Sequence, residues 1–391
     1  MSPARPIRDA GAPDGAPAFA HQGEAAPLPD DAPAAGVLPS QALRRLAAEG
    51  ALSAETGIDR DQIQPASLDL RLGARAWRVR ASFLPGRGRT VAERLDDYAM
   101  HEIDLRSGAA LETGCVYVVP LMERVRLERD VSGVANAKSS TGRVDLFTRV
   151  IADGGTEFDR LEPGYEGPLY AELCPRAFSV LARTGARLTQ LRLRRGRPRL
   201  TDAQLAAIHA ASGLVDGDAR IDGGLAFSVD LSQRDGPAGW RARPHSGLID
   251  LDRIDAYDPA EYWDPVRPGR EGDLILDPGA FYILASRESV HVPPDCAAEM
   301  APYMAVAGEF RVHYAGFFDP GFGHAAAGGA GSRAVLEVRC HESPFALGHG
   351  QVVGRLVYEP MLETPDILYG AAIGSTYQAQ GLRLSKHFRA P

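Results

Sequence analysis

One phrase occurs twice in this chain. Glu162-Pro163-Gly164-Tyr165-Glu166-Gly167 runs into Leu169-Tyr170-Ala171-Glu172-Leu173-Cys174. Far downstream, Asp319-Pro320-Gly321-Phe322-Gly323 is followed, after a Gly/Ala-rich insert, by Val335-Leu336-Glu337-Val338-Arg339-Cys340. Further echoes keep the same order. Ser67 to Leu72 is matched by Phe227 to Leu231, Leu111 to Tyr117 by Leu276 to Tyr282, Val125 to Asp130 by Val290 to Asp295, and Gly185 to Leu191 by Gly350 to Leu356. Ordered echoes of this kind mark an internal duplication, so the fold must be one that two copies of a single unit can build.

The unit reads as β. Ser67-Leu68-Asp69-Leu70-Arg71-Leu72 alternates apolar and polar residues and stops at Gly73, the pattern of a strand. Val116 to Val119, Val125 to Leu127, Leu169 to Leu173 and Leu188 to Leu193 give further short strands. With 42 glycines and 29 prolines, short strands and turns are favoured over long helices. Helices are expected at Leu43 to Ala47, capped by Ser40 and ended by Gly50, and after Thr201, where Gln204 completes a capping box. The basic Arg194-to-Arg199 stretch and this second helix mark the junction of the copies. Residues 1–35, rich in Ala, Pro, Gly and Asp, are expected to form a disordered tail. Residues 36–200 and 201–391 then form the two domains, in a chain long enough for both.

Composition removes several classes. No apolar run approaches the roughly eighteen residues of a membrane span, and the basic-then-apolar order of a signal peptide is absent, so a cytoplasmic protein is expected. A net charge of −8 gives no support to coating nucleic acid. Cys115, Cys174, Cys296 and Cys340 lie far apart with no C-x-x-C pair, which offers neither a zinc cluster nor a disulfide framework.

Several stretches together resemble the dCTP deaminase and dUTPase superfamily, and its deaminase branch in particular. Gln64 to Gly73 resembles its first strand. Lys138-Ser139-Ser140-Thr141-Gly142-Arg143 resembles its phosphate-binding motif, with lysine at the first arginine position. Val312 to Phe322, containing His313, Ala315 and Asp319, resembles its nucleoside-pocket hairpin, and Glu337 falls where the deaminases carry a catalytic glutamate. Tyr377-Gln378-Ala379-Gln380-Gly381 resembles the C-terminal arm that closes over nucleotide. The resemblance spans Leu38 to Phe388. It implies a mainly β fold of two tandem distorted β-barrels (dUTPase-like β-clip domains) with a few short helices. It also implies a homo-oligomer with shared sites, dCTP as substrate, and dTTP as a candidate feedback ligand.

The residue types fit that chemistry. Hydroxyls, a glycine and the arginine fork in residues 139–143 suit a phosphate chain. Deaminating cytosine requires water to attack C4 and a proton to reach N3, which one buried carboxylate can manage. A zinc route would need H-x-E with P-C-x-x-C, and that signature is missing here. The metal the resemblance implies is Mg²⁺ carried by the triphosphate, with no zinc and no protein metal site.

Each copy lacks what the other retains. The first keeps Ser139, Ser140 and Arg143 but has Ile151 to Glu157 in place of the nucleoside phrase. The second keeps that phrase and Glu337 but reads Pro302 to Gly308, without the serine pair or arginine, where the phosphate motif belongs. One composite site per chain is therefore expected, with Glu172 as a vestigial or structural counterpart of Glu337. The alternatives are a dUTPase, a bifunctional enzyme releasing dUMP and pyrophosphate, and an inactive nucleotide-binding protein.

Overall fold

The recurrence in the sequence returns as a recurrence in topology. A computed structural model describes residues 35–390 apart from 233–235, 303–309, 313–315, 341, 371–373 and 376. The N-terminal tail to residue 34, His313, Ala315 and most of the Pro302-to-Gly308 stretch thus lie outside the described residues. In the first copy, Leu68–Arg71 pairs with Arg187–Arg195, which continues to Val131–Ala137 and Arg160–Leu161. A second sheet runs Arg75–Val79, Val116–Arg126, Glu166–Pro175, Leu146–Ala152. The second copy repeats both orders. One sheet is Leu225–Ser228, Val352–Pro360, Cys296–Pro302, Phe317–Phe318; the other is Gly239–Ala242, Phe281–Val290, Ser332–Cys340, Phe310–Val312. The chain is mainly β with a few short helices, and among the described residues no helix is long and apolar enough to cross a membrane.

The duplicated phrase is a turn for a physical reason. Proline second and a positive-φ glycine third is what a type II turn requires. Gly164 has φ 76° and Gly321 φ 96°. The amide of Tyr165 donates to Glu162 O at 3.1 Å and that of Phe322 to Asp319 O at 3.0 Å. A second echo also survives in atomic detail: the Tyr117 hydroxyl accepts from the Glu112 amide, and the Tyr282 hydroxyl from the Asp277 amide, both at 3.0 Å.

Local expectations hold in part. Thr201 and Gln204 form the capping box of the Asp202–Ser212 helix. Ser40, however, does not cap Ser40–Ala48: Pro39 takes that position, and the Ser40 hydroxyl donates instead to Asp366 Oδ1 at 2.5 Å. The two short strands expected at Val116 to Val119 and Val125 to Leu127 are one, Val116–Arg126. Between them lies Glu123, which is fully buried and accepts from Gln62 Nε2 and from the amide and Nε of Arg71, each at 2.8 Å. A buried carboxylate satisfied in this way need not interrupt a strand.

The copies share a wall. In Phe281–Val290, Phe281 and Ile283 pack into the core built on Leu70, Val119 and Leu191 of the first copy. Tyr282 and Leu284, on the opposite face, pack into the second copy's core with Phe227 and Leu336. Both faces are apolar because each faces a different core. Ile249–Asp250 of the second copy adds in parallel to Val180–Ala182 of the first. Phe178 stacks on Trp263 at 5.2 Å, and Trp263 on Phe388 at 5.7 Å, edge-on. This aromatic knot anchors the C-terminus beside the first copy.

Candidate functional site

A cavity of about 330 Å³ opens where the two copies and the C-terminal arm meet. The first copy contributes Lys138, Ser139, Ser140 and Arg143, the second Asp319 and Glu337, and the arm Tyr377 and Gln380. The site residues read from the sequence converge here, apart from His313 and Ala315, which fall outside the described residues, and Glu172, which lies elsewhere.

Ser139–Gly142 forms a single helical turn after Val131–Ala137, closed by Arg143 N donating to Ser139 O at 3.0 Å. Its first amides precede the turn's own hydrogen bonds and can serve an anion. Lys138 is ion-paired with Asp69, so part of its charge is already balanced. Arg143 is only 2% exposed. Its Nη1 donates to Arg383 O at 3.1 Å, its guanidinium lies 3.9 Å from the centre of the Tyr377 ring, and its Nε is 3.8 Å from Glu337 Oε1. That Nε is buried without a hydrogen-bond partner.

Glu337 projects from the middle of Ser332–Cys340. Strand alternation would ordinarily send such a glutamate to solvent, but the opposing copy covers this face and leaves Glu337 buried. Burial pushes its carboxyl up to about 7, with Arg143 opposing the rise and Asp145 adding to it. Asp145 is held in turn by Arg339, two residues beyond Glu337. Asp319 is buried and pairs with Arg192 at 2.9 Å. Burial raises its carboxyl and the Arg192 charge pulls it back.

Glu172, the first copy's counterpart of Glu337, is buried in a different setting. Arg149 Nε donates to its Oε1 at 3.1 Å, and the guanidinium is stacked 3.5 Å from the Phe158 ring. Its Oε1 is committed to that pair, and its Oε2 is buried without a hydrogen-bond partner.

The arm is tied down along its length. Ser385 Oγ donates to Ser140 O at 2.8 Å, Gln380 Nε2 to Arg333 O at 3.0 Å, and the Lys386 amide to the Tyr377 hydroxyl at 3.2 Å. Gln380 Oε1 is buried without a partner, leaving an acceptor at the cavity.

Sequence reading missed Asp69, Arg187, Arg192, Tyr369 and Lys386. Asp69 was visible within the Ser67-to-Gly73 phrase, but alternation marks it as solvent-facing. In the structure all four residues of Leu68–Arg71 are buried, because the polar face meets Lys138 and Glu123. Arg192 gave no signal at all, since its partners lie more than a hundred residues away.

Comparison with known proteins accords with this geometry. Residues 34–197 match the model of the 2'-deoxycytidine 5'-triphosphate deaminase N-terminal domain, and residues 201–388 that of the C-terminal domain. The chain belongs to the 2'-deoxycytidine 5'-triphosphate deaminase family. A crystal structure of the family's deaminase from Agrobacterium tumefaciens is 52% identical, with a TM-score of 0.81, covering 85% of this chain and 99% of that one. A dCTP deaminase of Halorubrum lacusprofundi is 32% identical over 148 residues, 37% of this chain and 70% of that protein. One from Haloarcula marismortui is 32% identical over 152 residues, 38% and 74% respectively. Both relatives are much shorter than this chain.

Proposed function

We propose that this chain is a dCTP deaminase with one composite site per chain, formed between two tandem dUTPase-like barrels. The observation that carries this reading is Glu337, a buried carboxylate with a pKa of about 7, facing Arg143 of the other copy across 3.8 Å. Ser139, Ser140 and Arg143, with Lys138 and Lys386 nearby, cradle the triphosphate. Asp319 and Phe317 wall the nucleoside, and the arm closes through Tyr377 and Gln380.

Glu337 as carboxylate takes a proton from water as the oxygen attacks C4 of cytosine, and delivers it to N3. Glu337 then takes the proton of the C4 hydroxyl and passes it to the amine, so that the C4–N bond breaks as the C4 carbonyl forms, giving dUTP and ammonia. A pKa near neutrality suits a group that must both accept and donate. Mg²⁺ would enter on the triphosphate. The cavity's carboxylates at the phosphate end, Asp61 and Asp69, are ion-paired with Arg187 and Lys138, which favours a metal held by the nucleotide over one held by the protein. As a triphosphate, dTTP would compete for the same cradle. A dUTPase role is less well supported, because Asp319, the carboxylate that would activate water there, is committed to Arg192.

The test is product analysis with dCTP and Mg²⁺. Ammonia and dUTP without pyrophosphate are expected. Pyrophosphate would replace the reading with a bifunctional one, and binding without turnover would leave only a nucleotide-binding protein.

A further inference from the structure

We propose that Arg192, a first-copy residue outside the cavity lining, is the positioning residue that sets the second copy's nucleoside wall. The inference rests on the composite nucleotide site described above.

Arg192 is fully buried, one of the largest side chains with no exposure. It lies on Arg187–Arg195, where period-two alternation puts Gln190, Arg192 and Arg194 on one face, while Leu191 and Leu193 enter the first core. That face looks onto the second copy. Gln190 lines the cavity, and Arg194 Nη2 meets Glu299 and Glu359 at 2.7 Å each. Arg192 Nη1 donates to Ala298 O at 2.9 Å and Nη2 to Asp319 Oδ1 at 2.9 Å, and the guanidinium lies 4.1 Å from the centre of the Phe317 ring. Each of these partners belongs to the second copy, and Phe317 and Asp319 form part of the cavity wall.

A buried guanidinium is tolerated only when its donors are engaged, and a buried carboxylate only when its charge is met. Arg192 and Asp319 balance each other's charge, and Nη1 and Nη2 are engaged by second-copy acceptors, while Nε is buried without a hydrogen-bond partner. The planar fork fixes two directions at once, and its flat face sets the tilt of the Phe317 ring. A lysine would supply the charge without the fork or the face. The first copy therefore does more than cradle phosphate: it orients the surface against which the nucleoside is placed, from behind.

The experiment compares Arg192→Met and Arg192→Lys with the unaltered full-length protein. It measures kcat and KM for dCTP by ammonia release and the inhibition constant of inorganic tripolyphosphate, with thermal melts as a control for folding. Arg192→Met is expected to raise KM for dCTP by about tenfold or more, with tripolyphosphate inhibition within about twofold of the unaltered protein. Arg192→Lys should fall between them. Equal weakening toward dCTP and tripolyphosphate would reduce Arg192 to a general structural role and overturn the proposal, as would unchanged KM in a folded variant. If Arg192→Met does not fold, Arg192→Lys carries the same test: a selective rise in KM supports the proposal and an unselective or absent one overturns it. Should the unaltered protein release no ammonia, the deaminase reading fails separately. Calorimetric binding of dCTP against tripolyphosphate then decides the role of Arg192.

Discussion

Glu337 and Glu172 occupy equivalent strand positions and differ in what surrounds them. Glu172 is committed to Arg149, whereas Glu337 has Arg143 beside it without a hydrogen bond. Glu337→Gln should lower kcat by about a hundredfold or more, and Glu172→Gln should leave it within about twofold; equal losses in ammonia-release assays would refute the single-site reading. With a carboxyl pKa of about 7, the base form of Glu337 is lost below neutrality. The acid limb of kcat/KM should therefore fall with an apparent pKa near 7, and Arg143→Ala, removing the charge that opposes the rise, should move that limb to higher pH. The same shift has a stability consequence. A carboxyl raised in the folded state contributes stability present below its unfolded pKa of 4.5 and lost as pH rises through about 7. Glu337→Gln should thus melt higher than the unaltered protein at pH 8, by up to about 3 kcal/mol in stability, with the gap closing near pH 5.

At the level of elements, the repeated Pro-Gly turns, the Thr201 cap and several first-copy strands were legible because each depends on a few adjacent residues. Polar residues misled where the fold buries them. Nothing local marks Glu123 as interior, and alternation in Ser67 to Gly73 groups Asp69 with the polar face, yet both answer to partners supplied by distant segments. The arm shows the same division. Tyr377 and Gln380 were legible as a motif, but the anchor that holds them against the site is Phe388, packed among Tyr262 and Trp263 at 5.4 and 5.7 Å. Phe388→Ala should destabilise the protein by about 3 kcal/mol. It should also raise KM for dCTP. Loss of stability with KM unchanged would show that the arm closes without this anchor.

For the whole molecule, the complementary losses in the two copies now have a geometric counterpart. Phe281–Val290 buries one face in each core, and the cavity takes groups from both copies and from the arm. One nucleotide per chain is expected. Calorimetric titration of Glu337→Gln protein with dCTP should give a stoichiometry near one, and two equivalent sites would contradict the composite reading.

The duplication, the β class, the turn at each Pro-Gly and the residue types of the phosphate and carboxylate motifs were determined by the sequence itself, since each is a local pattern of periodicity or spacing. The tertiary structure alone decided which glutamate is hydrogen-bonded to an arginine and which faces one at 3.8 Å without a hydrogen bond. It also decided that Asp69 and Glu123 are interior, and that Arg192 pairs with Asp319 of the cavity wall. Burial and charge pairing depend on what arrives from other segments, 23 residues away for Glu172 and Arg149 and 127 for Arg192 and Asp319, and no local pattern encodes the partner.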